Sequence, residues 1–231
     1  MDREEIEENL ARVLKNVQAA KQGIEDYDVK IIAVTKTKPI ELIDTIARYN
    51  LFEDVGENYV QELVAKYPVA PNLKWHMIGQ LQSNKVKYII DKVCLIHSLD
   101  RESLASEIDK QAKKHGIKAN CLIEINMGSE LSKGGIEKED LLDFANLVSE
   151  KYPNIALRGI MAIMPNLGEC EMLKNLYVEF RALFETLKKQ MEGKQNIDIL
   201  SCGMTNDYEY AIKYAQPTYI RIGRALFGAR C

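Results

Sequence analysis

Lys36 stands just after the apolar run Lys30–Val34 and just before Lys38 and Pro39. The run reads as a buried strand and Pro39 as the first turn of a helix, so Lys36 falls at the strand's C-terminal end. A lysine rooted there is partly desolvated, which lowers its pKa and frees the amine to attack an aldehyde or ketone. The alternative is a surface pair formed with Lys38. Far along the chain, LSCGMTND and RIGRALFGAR supply hydroxyls at Ser201 and Thr205 and glycines at Gly203 and Gly223, each ahead of a helical stretch. Asn206 is placed to cap the first of these helices, with Glu209 three residues on. Hydroxyls, backbone that a ligand can approach and two helix starts are the parts of an anion site. Taken singly, either glycine is equally a tight-turn residue. A reactive amine beside an anion pocket suits a phosphorylated aldehyde.

Bringing these residues together requires a particular fold. Short runs rich in Ile, Val and Leu near 30–35, 51–55, 73–78, 93–98, 119–126, 157–163, 197–201 and 217–222 read as strands. Amphipathic segments near 39–49, 57–66, 81–91, 101–115, 137–151, 170–192 and 207–215 read as the helices between them, and residues 3 to 21 as a helix before the first strand. Eight strands buried on both faces, each followed by a helix, predict an α/β fold, a (β/α)₈ TIM barrel. It would be a single domain spanning 1–231, with the N-terminal helix of residues 1–25 packed on the barrel. An open doubly wound sheet is the alternative, but no GxGxxG turn follows the first strand. In a closed barrel the eighth strand pairs with the first. The loops after strands seven and eight, where barrels often bind phosphate, then become neighbours of Lys36.

The composition narrows the function classes. A formal net charge of −3 argues against partners held by bulk electrostatics, so neither nucleic acid nor an anionic membrane is expected. Five cysteines without a CxxC pair do not form a disulfide framework and indicate a reducing compartment. The acidic, amphipathic N-terminal stretch is unlike a signal or transit peptide, and no apolar run is long enough to span a bilayer. The expected location is the cytoplasm. His97 and His115 have no metal-ligand spacing with Cys, Asp or Glu, so no metal is expected.

The motifs AVTKTKP, FEDVGENYVQE, WHMIGQLQSNK, IHSLD, INMGSELSKGGI, RGIMAIMP, LSCGMTND and IRIGRALFGAR carry a resemblance. Together, over nearly the whole chain, they resemble the pyridoxal 5′-phosphate (PLP) homeostasis proteins, which are related to the N-terminal barrel of alanine racemase. The resemblance implies a single-domain barrel that holds PLP as an aldimine on Lys36. It also implies that Ser201 and Thr205, with the backbone around Gly223 and Arg224, hold the phosphate, and that Arg221 faces the pyridine nitrogen. An arginine neither gives up nor accepts a proton there, so the nitrogen would stay unprotonated and the cofactor's electron sink weak. The alternative for Arg221 is an ion pair at the barrel rim. Arg224 departs from the family pattern, in which a small hydroxyl residue is expected, and its side chain either adds charge to the phosphate site or turns outward.

Asn58, after the second strand, and His76, on the third, are further candidates for the cofactor site. Asn58 is equally a helix cap, and His76 equally a satisfied core histidine. Three functions compete. The first is a carrier that buffers PLP without turning over a substrate, with PLP-dependent apoenzymes as recipients and a monomeric state. The second is a racemase-like enzyme, with Lys36 as one base and Tyr59 or His76 as an intrachain second acid/base. The third is a Schiff-base aldolase acting on a phosphorylated sugar.

Overall fold

The computed structural model describes residues 2–25, 27–128 and 134–228. Parts of two quoted motifs, 129–133 and 229–230, lie outside these residues. Eight parallel strands close into a barrel in sequence order: β1 (Lys30–Val34), β2 (Asp54–Glu57), β3 (Lys74–Met77), β4 (Val93–Leu99), β5 (Ala119–Ile125), β6 (Ile155–Ala162), β7 (Ile199–Met204) and β8 (Tyr219–Ile222). The ring is closed by β8 on β1, where Ile32 pairs with Arg221. The helices are α1 (Arg3–Ala20), α2 (Ile40–Tyr49), α3 (Val60–Lys66), α4 (Glu102–His115), α5 (Leu141–Lys151), α6 (Glu171–Gln190), α7 (Tyr208–Tyr214) and α8 (Arg224–Phe227).

Two apolar clusters hold this arrangement. The larger lies between sheet and helices, where α4 contributes Leu104, Ala105, Ile108 and Ala112 at helical spacing and α6 contributes Tyr177, Phe180, Phe184 and Leu187. The smaller takes one residue from each of six strands: Ile32, Leu95, Leu122, Met161, Ile199 and Tyr219. It is the apolar part of the barrel interior. Strands β6 and β7 approach closely at Gly159, where a Cβ would sit 1.8 Å from the Ile199 carbonyl oxygen, so no larger residue fits. α1 buries Ile6, Val13, Val17 and Ala20 and bonds to the helices that follow β7 and β8: Asn9 Nδ2 donates to the Leu226 carbonyl, and Asn16 Nδ2 to the Tyr208 hydroxyl.

The structure corrects three boundaries. The second strand begins at Asp54 rather than 51, because Asn50 ends α2 in the left-handed conformation and Leu51 N–H still bonds to the Ile46 carbonyl. The segment 81–91 is no α-helix; its regular part is the 3₁₀ turn Ser83–Tyr88, consistent with buried Val86 and Ile89 falling three residues apart. The seventh strand runs on to Met204 rather than ending at 201, which puts residues 202–204 within the sheet.

Candidate functional site

A cavity of about 980 Å³ opens at the C-terminal end of the barrel. Its lining includes Lys36, Asn58, Thr205, Arg221, Gly223 and Arg224. The amine at the end of β1 and the loops after β7 and β8 therefore share one chamber, as barrel closure requires. Ser201 and His76 lie outside the lining, both fully buried in the barrel interior below it.

The backbone on each side of Lys36 is fastened by a buried ionic cluster. Lys66 Nζ donates to Glu57 Oε1 at 2.7 Å, to Glu62 Oε2 at 2.8 Å and to the Thr35 carbonyl at 2.8 Å. Thr35 Oγ1 donates to the same Glu57 oxygen at 2.7 Å, and Thr37 N–H donates to Glu62 Oε2 at 2.8 Å. Burial raises the Glu57 pKa, with Lys66 and Thr35 pulling the other way. Thr37 has φ +60°, a costly conformation for a β-branched residue that persists where surrounding bonds enforce it. Sequence reading missed this cluster. Its legible signal is the i,i+4 spacing of Glu62 and Lys66 on one helix face.

Across the cavity, Gly203 has φ +85°, and a Cβ there would meet Ala211 Cβ at 2.7 Å, so this glycine serves both turn and close packing. The N-cap of α7 is Asp207 rather than Asn206. The Asp207 carboxylate accepts Met204 N–H at 2.6 Å and the Tyr177 hydroxyl at 2.7 Å, which fixes the loop. Glu209 accepts from Asn16. Asn206 instead accepts from Arg224 Nη2 at 3.1 Å, which joins the two loops by exposed side chains. Thr205 Oγ1 accepts the Ala225 N–H at 3.4 Å, at the start of α8. Asn58 precedes Tyr59, the N-cap of α3, so it is no helix cap. Its Oδ1 is buried in the cavity wall without a hydrogen-bond partner.

Arg221 forms the floor. Its guanidinium donates to Ser201 Oγ at 2.7 Å and to the Ala162 carbonyl at 2.9 Å, leaving further N–H bonds of its five. Beneath it, His97 Nδ1 lies 3.2 Å from Ser201 Oγ, His97 Nε2 3.0 Å from His76 Nδ1, and His76 Nε2 2.8 Å from Asp54 Oδ1. Burial lowers the Arg221 pKa and holds His97 well below the ordinary histidine range, with His76 and Arg221 adding to the latter effect. Burial also pushes Glu124, on β5, up to about 7, with nearby Asp100 adding to the rise.

The alanine racemase N-terminal domain model matches residues 9–231. A pyridoxal phosphate homeostasis protein of Aquifex aeolicus is 41% identical over 227 residues, covering 96% of this chain and 97% of the relative. One of Escherichia coli is 37% identical over 239 residues, covering 98% and 97%. This chain belongs to the pyridoxal phosphate homeostasis protein family. The architecture of that family agrees: PipY of Synechococcus elongatus, in a structure described as having PLP bound, superposes with TM-score 0.81 at 30% identity, covering 96% of this chain and all of PipY. An alanine racemase of Clostridium difficile superposes with TM-score 0.73 at 16% identity, over 96% of this chain and 57% of the racemase, which is a likeness of fold. Among the described residues, no helix is long and apolar enough to cross a membrane.

Proposed function

We propose that this chain binds PLP in the cavity above Arg221, carries it as a Schiff base on Lys36, and serves PLP homeostasis as a carrier and buffer without substrate turnover. The observation that carries this reading is the shared chamber. It holds an amine at the end of β1, a hydroxyl and two loop starts after β7 and β8, and a buried guanidinium beneath. The residues present fit the group: Arg221 has donors to spare beneath the cavity and Thr205 contributes a hydroxyl to its lining, while Asn58 Oδ1 is a buried polar atom of the wall without a hydrogen-bond partner. The names of the relatives and the PLP-bound PipY structure support the same ligand.

When bound, PLP supplies an electron sink whose strength depends on its ring nitrogen. Arg221 can only donate a hydrogen bond there, so it favours an unprotonated nitrogen and disfavours broad carbanion chemistry. Thr205 and the Gly223–Arg224 backbone would take the phosphate, and Ser201 acts through its bond to Arg221. The racemase-like reading needs an acid/base group opposite Lys36. Both of its candidates lie outside the cavity lining: His76 is buried in the interior, and Tyr59 is exposed. We extend the reading to a monomer in the cytoplasm that delivers PLP to apoenzymes.

The test is the visible spectrum of the purified protein incubated with PLP, before and after borohydride reduction, with peptide mapping of the adduct. A yellow protein whose reduced adduct maps to Lys36 is expected. A colourless protein, or an adduct on another lysine, would overturn the assignment.

A further inference from the structure

Five polar side chains from five strands form one continuous hydrogen-bonded chain through the barrel interior. They are Asp54 (β2), His76 (β3), His97 (β4), Ser201 (β7) and Arg221 (β8), each at most 4% exposed. The contacts run from Arg221 Nη1 to Ser201 Oγ at 2.7 Å and from Ser201 Oγ to His97 Nδ1 at 3.2 Å. They continue from His97 Nε2 to His76 Nδ1 at 3.0 Å and from His76 Nε2 to Asp54 Oδ1 at 2.8 Å. The Tyr219 hydroxyl donates to the same Asp54 oxygen at 3.3 Å.

With one proton on each histidine ring, the residue types at the two ends fix the direction. Arginine can only donate, and an aspartate oxygen already receiving a tyrosine hydroxyl is an acceptor. His76 must then carry its proton on Nε2, and with one proton per ring its Nδ1 accepts from His97 Nε2–H. His97 Nδ1 in turn accepts the Ser201 hydroxyl, whose oxygen lone pairs face Arg221. Every donor in the chain points from Arg221 toward Asp54, and no proton is left over or missing. A second proton on His76 would set two N–H groups against each other. Relief would require His97 to change tautomer and Ser201 to turn its hydroxyl away. With each ring singly protonated, the interior therefore holds Arg221 by a chain with one proton arrangement, and the Ala162 carbonyl holds its other nitrogen.

We infer that Asp54, His76, His97 and Ser201 are positioning residues for Arg221, fixing the plane of the guanidinium that forms the cavity floor and thereby the donor it presents to a bound ring. The part that concerns the ring rests on the proposed PLP site. The part that concerns the chain does not.

The test therefore begins with the protein free of PLP. Long-range ¹H–¹⁵N correlation spectra of the histidine rings at neutral pH are expected to show His76 and His97 both as neutral Nε2–H tautomers. An Nδ1–H tautomer or a doubly protonated ring at either position overturns the chain. In the same sample the Arg221 guanidinium N–H signals are expected to be resolved and slow to exchange. His97→Phe, similar in size but without ring nitrogens, should average or remove those Arg221 signals and convert His76 to a mixture of tautomers. It should also displace the visible band of the PLP-loaded protein and weaken PLP about tenfold, the value of one hydrogen bond to a charged group. His97→Gln, which can both donate and accept, should recover the Arg221 signals. Arg221 signals and a visible band unchanged in His97→Phe would overturn the inference. Should that variant fail to fold, the wild-type tautomers and His97→Gln decide it. A protein that takes up no PLP refutes the cofactor reading, while the spectra of the free protein still judge the chain.

Discussion

Lys66 Nζ lies 2.8 Å from the carbonyl oxygen of Thr35, the residue immediately before Lys36. The same ammonium joins Glu57 and Glu62, and Glu62 holds the N–H of Thr37 on the other side. One buried cation thus ties down both peptide units that flank Lys36. Lys66→Met keeps the side-chain length but leaves Glu57 facing Glu62 without a counter-charge. We expect a loss of about 3–5 kcal/mol, the usual result of removing one partner from a buried ion pair. Urea unfolding should show a lower midpoint at unchanged slope, and a midpoint within error of wild type would deny the cluster its role.

The two hydroxyls proposed for the phosphate should now behave differently. Thr205 lines the cavity, whereas Ser201 sits between Arg221 and His97. Thr205→Ala should weaken PLP by about 1–2 kcal/mol with little effect on stability. Ser201→Ala strands an Arg221 N–H and should cost about 1–3 kcal/mol of stability. Fluorescence titration with PLP and thermal unfolding of both variants separate the cases. Equal stability losses would argue against the division.

Glu124 predicts a pH dependence. Burial raises its folded-state pKa to about 7, and Glu124 Oε2 has no hydrogen-bond partner. The folded protein then binds the proton more tightly than the unfolded chain. Its contribution to stability is fully present below the ordinary glutamate range and is lost as pH rises toward 7. Glu124→Gln should accordingly be more stable than wild type at pH 8, by up to about 3 kcal/mol. The gap should close below roughly pH 4.5, near the unfolded carboxyl pKa. Denaturant midpoints of both proteins measured across pH check it, and a constant difference would remove the carboxyl as the cause.

Gly159 predicts the most severe single change. A methyl group there would collide with the Ile199 carbonyl and push β7 off β6. Gly159→Ala should cost at least about 4 kcal/mol, because backbone rather than a flexible side chain has to move. Circular dichroism melting would show this at once, and a melting curve like wild type's would mean the strands can slide.

The barrel was legible because its strands are apolar on both faces and its helices periodic, two patterns of short range. Lys36, Thr205 and Gly223 were legible as neighbours because closure of such a barrel places the ends of β1, β7 and β8 together, whereas Arg221 and Arg224 were singled out only by the family resemblance. Placement within an element was harder to read. Ser201, at the end of the expected seventh strand, read as a hydroxyl open to the loop beyond it, yet in a barrel polar residues also fill inward positions along a strand. His76 and His97 looked like isolated histidines because their bonds cross between strands, which no local spacing reports. The alternation of His76 with apolar Trp75 and Met77 hinted at a polar interior. Only three-dimensional pairing turns that hint into a chain.

Asn9 reaches Leu226 across 217 positions of sequence, and the cavity floor comes from β8, which pairs with β1. On a ribosome adding about 5–20 residues per second, Lys36 is synthesised roughly 10–40 s before Arg221 and Gly223. Throughout that interval it is one lysine among many, with nothing beside it to recruit a phosphorylated aldehyde. The proposed pocket therefore cannot be complete until β8, the last strand, has been made and paired with β1. A chain ending before β8 would carry Lys36 but not the pocket proposed around it.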